Sequence, residues 1–143
     1  FGLGRIGLAI GRRLEGFGTP IHYHNRSQRN DVSYTYHDSL VGLANAVDLL
    51  ICVVPGGAET DKIIDHKVFE ALGENGVLIN VGRGQSVDEP ALIKVCLLPH
   101  VASASIATRN AMADLCVDNL VAWLSGKPAI TAVPETASFN RKA

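Results

Sequence analysis

Gly2-Leu3-Gly4-Arg5-Ile6-Gly7 sets three glycines at the spacing G-x-G-x-x-G, which lets a backbone wrap a pyrophosphate where a helix begins. Each glycine has its own task in that chemistry. Gly2 allows the tight turn, Gly4 lets the backbone approach the phosphates, and Gly7 lets the helix pack on its strand. The first-turn amides, including those of Arg5 and Ile6, and the helix dipole then face the negative charge. Alone, the pattern also occurs in turns that are merely glycine-rich.

Such loops usually have an acidic residue about 20 positions on, which takes the ribose 2′-hydroxyl. Here that place reads His22-Tyr23-His24-Asn25-Arg26-Ser27, with no carboxylate. Arg26 as cation, with Asn25 and Ser27 as donors and Arg29 in reserve, suits a 2′-phosphate. This points to NADP in preference to NAD, with NAD still possible; a solvated basic turn is the plain alternative. His22 and His24 share one face of an extended run but have no third ligand spaced nearby, so no metal site is expected. His37 and His66 sit among polar residues and are expected to be solvated.

The elements that must position these residues follow from periodicity. Ile6, Ile10, Leu14 and Phe17 form one apolar stripe over Arg5 to Phe17, a helix stopped by Gly16 and Gly18. Pro20 to His24 and Val32 to Tyr36 read as strands, and Ser39 to Ala46 as a short helix. Val47 to Val54 contains the continuous apolar run of a strand buried on both faces. Asp61 to Leu72 predicts a helix, Val77 to Val81 a strand, and Asp88 to Lys94 a helix with Asp88 as N-cap and Pro90 in its first turn. Val95 to Leu98 reads as another strand. Ser105 to Ser125 predicts a helix whose stripe is Met112, Leu115, Cys116, Leu120, Trp123 and Leu124, core or dimer surface, ended by Gly126-Lys127-Pro128. Alternating strands and helices imply an α/β parallel sheet.

Composition narrows the partners. Thirteen Lys and Arg against 14 Asp and Glu leave a formal charge of −1, so no bulk field draws nucleic acid or an anionic membrane, and neither is an expected partner. The longest charge-free apolar run, Leu49 to Val54, is far short of the ~20 residues of a membrane helix. Cys52, Cys96 and Cys116, widely spaced among Leu, Ile and Val, fit reduced core thiols in a cytoplasmic or other reducing setting. With 143 residues and 47% apolar content there is material for one core. The opening at Phe1 without an initiator Met is what a fragment or processed product would show.

Taken in order, three segments resemble the D-isomer-specific 2-hydroxyacid dehydrogenases. They are the glycine loop; Asn80-Val81-Gly82-Arg83-Gly84 followed by Val87-Asp88-Glu89; and Leu98-Pro99-His100-Val101-Ala102-Ser103 leading into Thr108-Arg109-Asn110-Ala111-Met112. Tyr23 to Ser27 and Ala122-Trp123-Leu124-Ser125-Gly126-Lys127-Pro128 are most similar to the plant-like NADPH-dependent hydroxypyruvate, glyoxylate and hydroxyphenylpyruvate reductases. The resemblance implies a Rossmann-type doubly wound parallel sheet, with residues 1–128 as the dinucleotide-binding domain and 129–143 as a tail returning toward a substrate domain. It implies hydride transfer from NADPH to the keto carbon of a small 2-keto acid, giving the D-2-hydroxy acid, in a homodimer. Arg83 would hold the substrate carboxylate, and His100 would protonate the carbonyl oxygen. Val54 and Pro55 would wall the adenine ribose, and Val81 and Gly82 would lie beside the nicotinamide ribose.

The family pattern is also cut. Between Gly84 and Pro99-His100 the family carries a further helix and strand, about 30 residues, that this sequence lacks. With them go the acidic partner of the histidine and an Asp for the nicotinamide amide. The expected sheet is therefore truncated, lacking this unit and all but the last residue of its first, central strand. Asp88 and Glu89 are assigned capping roles only, and Pro55-Gly56-Gly57-Ala58 replaces the family's more hydroxylic turn. The alternative to a reductase is a catalytically incompetent remnant that binds nucleotide or self-associates.

Overall fold

The computed structural model describes residues 1–92, 103 and 105–133. The chain divides into two compact units, Phe1–Cys96 and Leu97–Ala143. Among the described residues the first holds three α-helices, α1 (Arg5–Glu15), α2 (Leu40–Asn45) and α3 (His66–Leu72). It also holds two parallel strand pairs. β1 (His22–Tyr23) pairs with β2 (Thr35–Tyr36), His22 opposite Thr35; β3 (Leu49–Cys52) pairs with β4 (Val77–Asn80), Leu49 opposite Val77.

The first two residues join these pairs. The Phe1 amino group donates to Ile51 O at 2.8 Å, and Phe1 O accepts from Val53 N at 2.9 Å. On the other side Gly2 N donates to His24 O at 3.1 Å. Backbone groups that alternate along a strand reach both neighbours only from a ladder position between them. Phe1 and Gly2 thus hold the centre, in the order β2, β1, Phe1–Gly2, β3, β4. Next to them a cleft of about 360 Å³ opens between α1, β1 and β3, lined in part by Ile10, Leu14, Ile21 and Leu49.

The core lies on one face of β3 and β4. Leu50 and Cys52 are buried with Leu40, Leu43 and Ala44 of α2 and with Ile64, Val68 and Leu72. Each fully buried Leu, Ile or Val here contributes ~1.5–3 kcal/mol relative to exposure. Ser39 caps α2 by accepting from Gly42 N, and Asp65 caps α3 by accepting from Lys67 N and Val68 N.

Several elements depart from the sequence reading. β3 is buried on one face only, because α2 and α3 pack on the same side; Leu49, Val77 and Ile79 are exposed. The helix expected from Asp61 shrinks to α3. Lys62 N bonds Gln85 O, Ile64 N bonds Ser86 O and Asp88 N bonds Ile64 O, so this stretch pairs with residues 85–88 before Asp65 can start a helix. The helix expected from Asp88 is a 3₁₀ turn over Glu89–Leu92, and Asp88 turns its carboxylate to Lys62 at 3.7 Å. On α1 the buried positions are Gly7 and Gly11 rather than Ile6, which is exposed, and Phe17 lies beyond the helix. The ring of Tyr34 would lie 3.1 Å from a Cβ at Gly11, so closeness decides burial there.

The second unit carries α4 (Ile106–Leu124), capped by Ser105 accepting from Thr108 N. It ends at Gly126, φ +74°, where Lys127 N reaches back to Ala122 O at 2.9 Å. Asn119 fastens the chain beyond it, bonding both Oγ1 and N of Thr131. The expected stripe is wider than one face, since Val117 and Val121 are exposed together with Met112, Leu115 and Leu120. Cys52 is a buried thiol whose pKa burial pushes up, whereas Cys116 is exposed, correcting its assignment to a core. Cys96 and the strand expected at Val95 to Leu98 lie outside the described residues. No helix among the described residues is long and apolar enough to cross a membrane.

Candidate functional site

The C-terminal ends of the parallel strands meet at one crevice, and the glycine loop lies at its middle. Gly2 adopts φ +90°, and a Cβ there would sit 2.9 Å from Val54 Cγ1. The loop is thereby pressed against Val54, at the end of β3. Gly7 approaches Gly2 so closely that a Cβ would fall 2.5 Å from Gly2 O. Gly4, the N-cap residue of α1, has open space where its Cβ would be. It donates to Gly2 O and accepts from Leu8 N. The amides of Arg5, Ile6 and Gly7 stand in the first turn, where α1 has no preceding carbonyls to bind them. An uncovered Gly4 beside free helix amides fits a pyrophosphate.

Beyond β1, Asn25 ties the crevice wall to the loop. Its Oδ1 accepts from Leu3 N at 2.6 Å and its Nδ2 donates to Leu3 O at 3.4 Å. Its amide therefore positions the loop. Arg29 also serves the framework: Nη1 donates to Leu3 O at 2.9 Å, and the fork grips both carboxylate oxygens of Asp31. That grip raises the Arg29 pKa and holds the Asp31 carboxyl below the usual range. Arg26 instead projects from the wall with its side chain 91% exposed, and Nη1 meets Glu59 Oε2 at 2.9 Å. Ser27 beside it is exposed.

The other wall is built by β3 and β4. Val81 N donates to Cys52 O at 2.9 Å, and a Cβ on Gly82 would lie 2.6 Å from Val54 O, so Val54-Pro55 and Val81-Gly82 are neighbours. A side chain on Gly56 would meet Arg83 Cγ at 3.0 Å. Asn80, which the sequence reading did not single out, closes this turn: Oδ1 accepts from Gly82 N at 2.9 Å and Nδ2 donates to Arg83 O at 2.8 Å. An Asn two residues before a glycine is a usable turn signal. Arg83 itself is exposed, with Nη1 3.2 Å from Gly82 O.

The structure places Gly2, Gly4, Arg5, Ile6 and Gly7 in the loop and first turn of α1, Asn25, Arg26 and Ser27 just after β1, Val54 and Pro55 just after β3, and Val81, Gly82 and Arg83 just after β4. His100 lies outside the described residues. His37 is a correction to the solvated reading: half-buried, its Nε2 stands 2.9 Å from His22 Nδ1 and its carbonyl 2.8 Å from His24 Nδ1. Among the described residues no group of three or more His, Cys, Asp or Glu is placed to hold a metal.

Residues 1–108 match the family model described as D-isomer specific 2-hydroxyacid dehydrogenase, NAD binding domain. The chain belongs to the D-isomer specific 2-hydroxyacid dehydrogenases. Its fold is the Rossmann-like NAD-binding domain of that family, and it is a partial one. Hydroxyphenylpyruvate reductase of Plectranthus scutellarioides is 43% identical over 162 residues, covering 92% of this chain and 52% of the relative. Glyoxylate/hydroxypyruvate reductase A of Arabidopsis thaliana matches with the same identity and coverage. The NADPH-dependent glyoxylate/hydroxypyruvate reductase of Sinorhizobium meliloti, solved with NADP and malonate, superposes with a TM-score of 0.83 at 50% identity. That match covers 100% of this chain and 54% of the other. The chain thus spans about half the length of the curated relatives it matches. Since 92% of 143 residues is about 132, an alignment of 162 positions leaves about 30 with no counterpart in this chain.

Gly7 and Gly4 differ in what a side chain would meet. Gly7→Ala is predicted to lower the urea midpoint by ~1–3 kcal/mol equivalent, because the clash is backbone on backbone. Gly4→Ala, facing open space, should cost under ~1 kcal/mol as an N-cap change. Equal losses would contradict the loop geometry.

Proposed function

We propose that this chain is the cofactor half of an NADPH-dependent 2-keto acid reductase acting on a substrate such as hydroxypyruvate or glyoxylate. The observation that carries the reading is the convergence of the glycine loop, the exposed Arg26 and the Asn80-braced Arg83 on one crevice. Likeness to an NADPH-dependent reductase at 50% identity supports it.

In this reading the amides of Arg5, Ile6 and Gly7, with the open Gly4, hold the pyrophosphate. Arg26 and Ser27 take the 2′-phosphate, Asn25 keeps the loop in place, and NAD remains a poorer substitute. Val54 and Pro55 wall the adenine ribose; Val81 and Gly82 lie beside the nicotinamide ribose. The nicotinamide, when bound, supplies the hydride. Arg83 orients the keto acid by a two-point contact with its carboxylate, and His100 delivers the proton that the carbonyl oxygen needs as its carbon is reduced. Residues 1–128 form the dinucleotide-binding domain and 129–143 the tail toward a substrate domain. The setting is cytoplasmic, and the exposed apolar side chains of α4 support a homodimer.

A second reading, a remnant that binds nucleotide or self-associates without turnover, stays open for the 143-residue chain, and the positions it lacks relative to the reductases are the observation on its side. Turnover of keto acid by the chain that disappears in His100→Ala would exclude it. For the main reading, Arg26→Ala is predicted to weaken NADPH about tenfold or more while sparing NADH, as expected for loss of a charge-assisted contact. Equal affinity of the unmodified chain for both cofactors, measured by calorimetry, would overturn the NADP assignment.

A further inference from the structure

The Arg26–Glu59 ion pair crosses the mouth of the crevice. Arg26 stands after β1, on the wall that Asn25 ties to the glycine loop. Glu59 stands after β3 in the 3₁₀ turn Ala58–Thr60, held by Thr60 Oγ1 donating to Pro55 O at 2.7 Å and by Thr60 N donating to Gly57 O at 3.0 Å. Thirty-three residues separate the two partners in sequence. Their side chains are 91% and 78% exposed, so water competes with the contact and a stronger anion can replace it. Arg29 is the contrast, with its side chain 27% exposed, gripped by Asp31 and bonded to Leu3 O. Arg26, whose guanidinium has Glu59 as its hydrogen-bond partner among the described residues, is the exchangeable cation at this wall.

We propose that Glu59 is the resident counter-ion of Arg26 and a determinant of cofactor discrimination, displaced when a 2′-phosphorylated nucleotide binds. This rests on the NADP reading given above. A 2′-phosphate brings close to two negative charges and several acceptor oxygens to Arg26. It must break the Arg26–Glu59 contact and then lie near the released carboxylate, within the ~8 Å over which exposed charges interact at physiological salt. A nucleotide with a neutral 2′-hydroxyl has no need to break the pair. Glu59 therefore weakens NADPH binding selectively and narrows the preference that Arg26 creates.

Calorimetric dissociation constants for NADPH and NADH with the unmodified chain, Glu59→Gln, Arg26→Ala and the double variant test this. Glu59→Gln is expected to tighten NADPH about three- to fivefold, the range of an exposed ion pair, to leave NADH unchanged, and to do neither in the Arg26→Ala background. Unchanged or weaker NADPH binding in Glu59→Gln overturns the proposal, as does an equal gain for NADH or a gain that survives without Arg26. If Arg26→Ala leaves the NADPH-to-NADH ratio unaltered, the NADP reading fails and the proposal falls with it. If Arg26→Ala collapses the ratio while Glu59→Gln does nothing, only the role of Glu59 is lost.

Discussion

Everything in the first unit depends on the backbone junction at Phe1 and Gly2. One residue bonds β3 on its left, the next bonds β1 on its right, and the chain must then turn at once into α1. A turn this tight needs φ +90° at Gly2, with Val54 pressed against the space a side chain would fill. The same junction fixes the crevice. Pulling β1 and β3 to one centre sets Asn25–Ser27 on one wall and Val54–Pro55 on the other, and leaves the amino end of α1 between them.

Around this junction, polar side chains act as fasteners more than as ligands. Asn25 and Arg29 secure Leu3 from two directions, and Asn80 closes the turn that carries Arg83. Such residues read in sequence as candidates for a phosphate, because donor type alone does not tell a backbone carbonyl from a phosphate oxygen. Geometry separates them. Asn25 and Arg29 have internal partners, whereas Arg26 leans outward on an exposed carboxylate.

What was legible in the sequence was local. Leu40, Leu43 and Ala44 after Ser39 mark α2, the apolar run at Val77 gives β4, and Gly126 before Pro128 ends α4, each through residues a few positions apart. The order of strands and helices, with the three ordered motifs, was enough for the fold class and the family. At residues 61–64 and along α1 the structure departs from the apolar spacing because contacts from outside the element decide. Residues 62–64 pair with 85–88 instead of coiling, and Gly7 and Gly11 take the buried places on α1 because Gly2 and Tyr34 come too close for larger side chains. Glu59 carried no motif signal; only the folded chain brings it to Arg26.

If the strand ends and the glycine loop form one nucleotide crevice, as proposed, an amide NMR titration of the chain with NADPH shifts residues 4–7, 25–27, 54–59 and 81–83 and leaves α4 unmoved by comparison. Shifts absent from the 4–7 segment at saturation, or centred on α4, would contradict it.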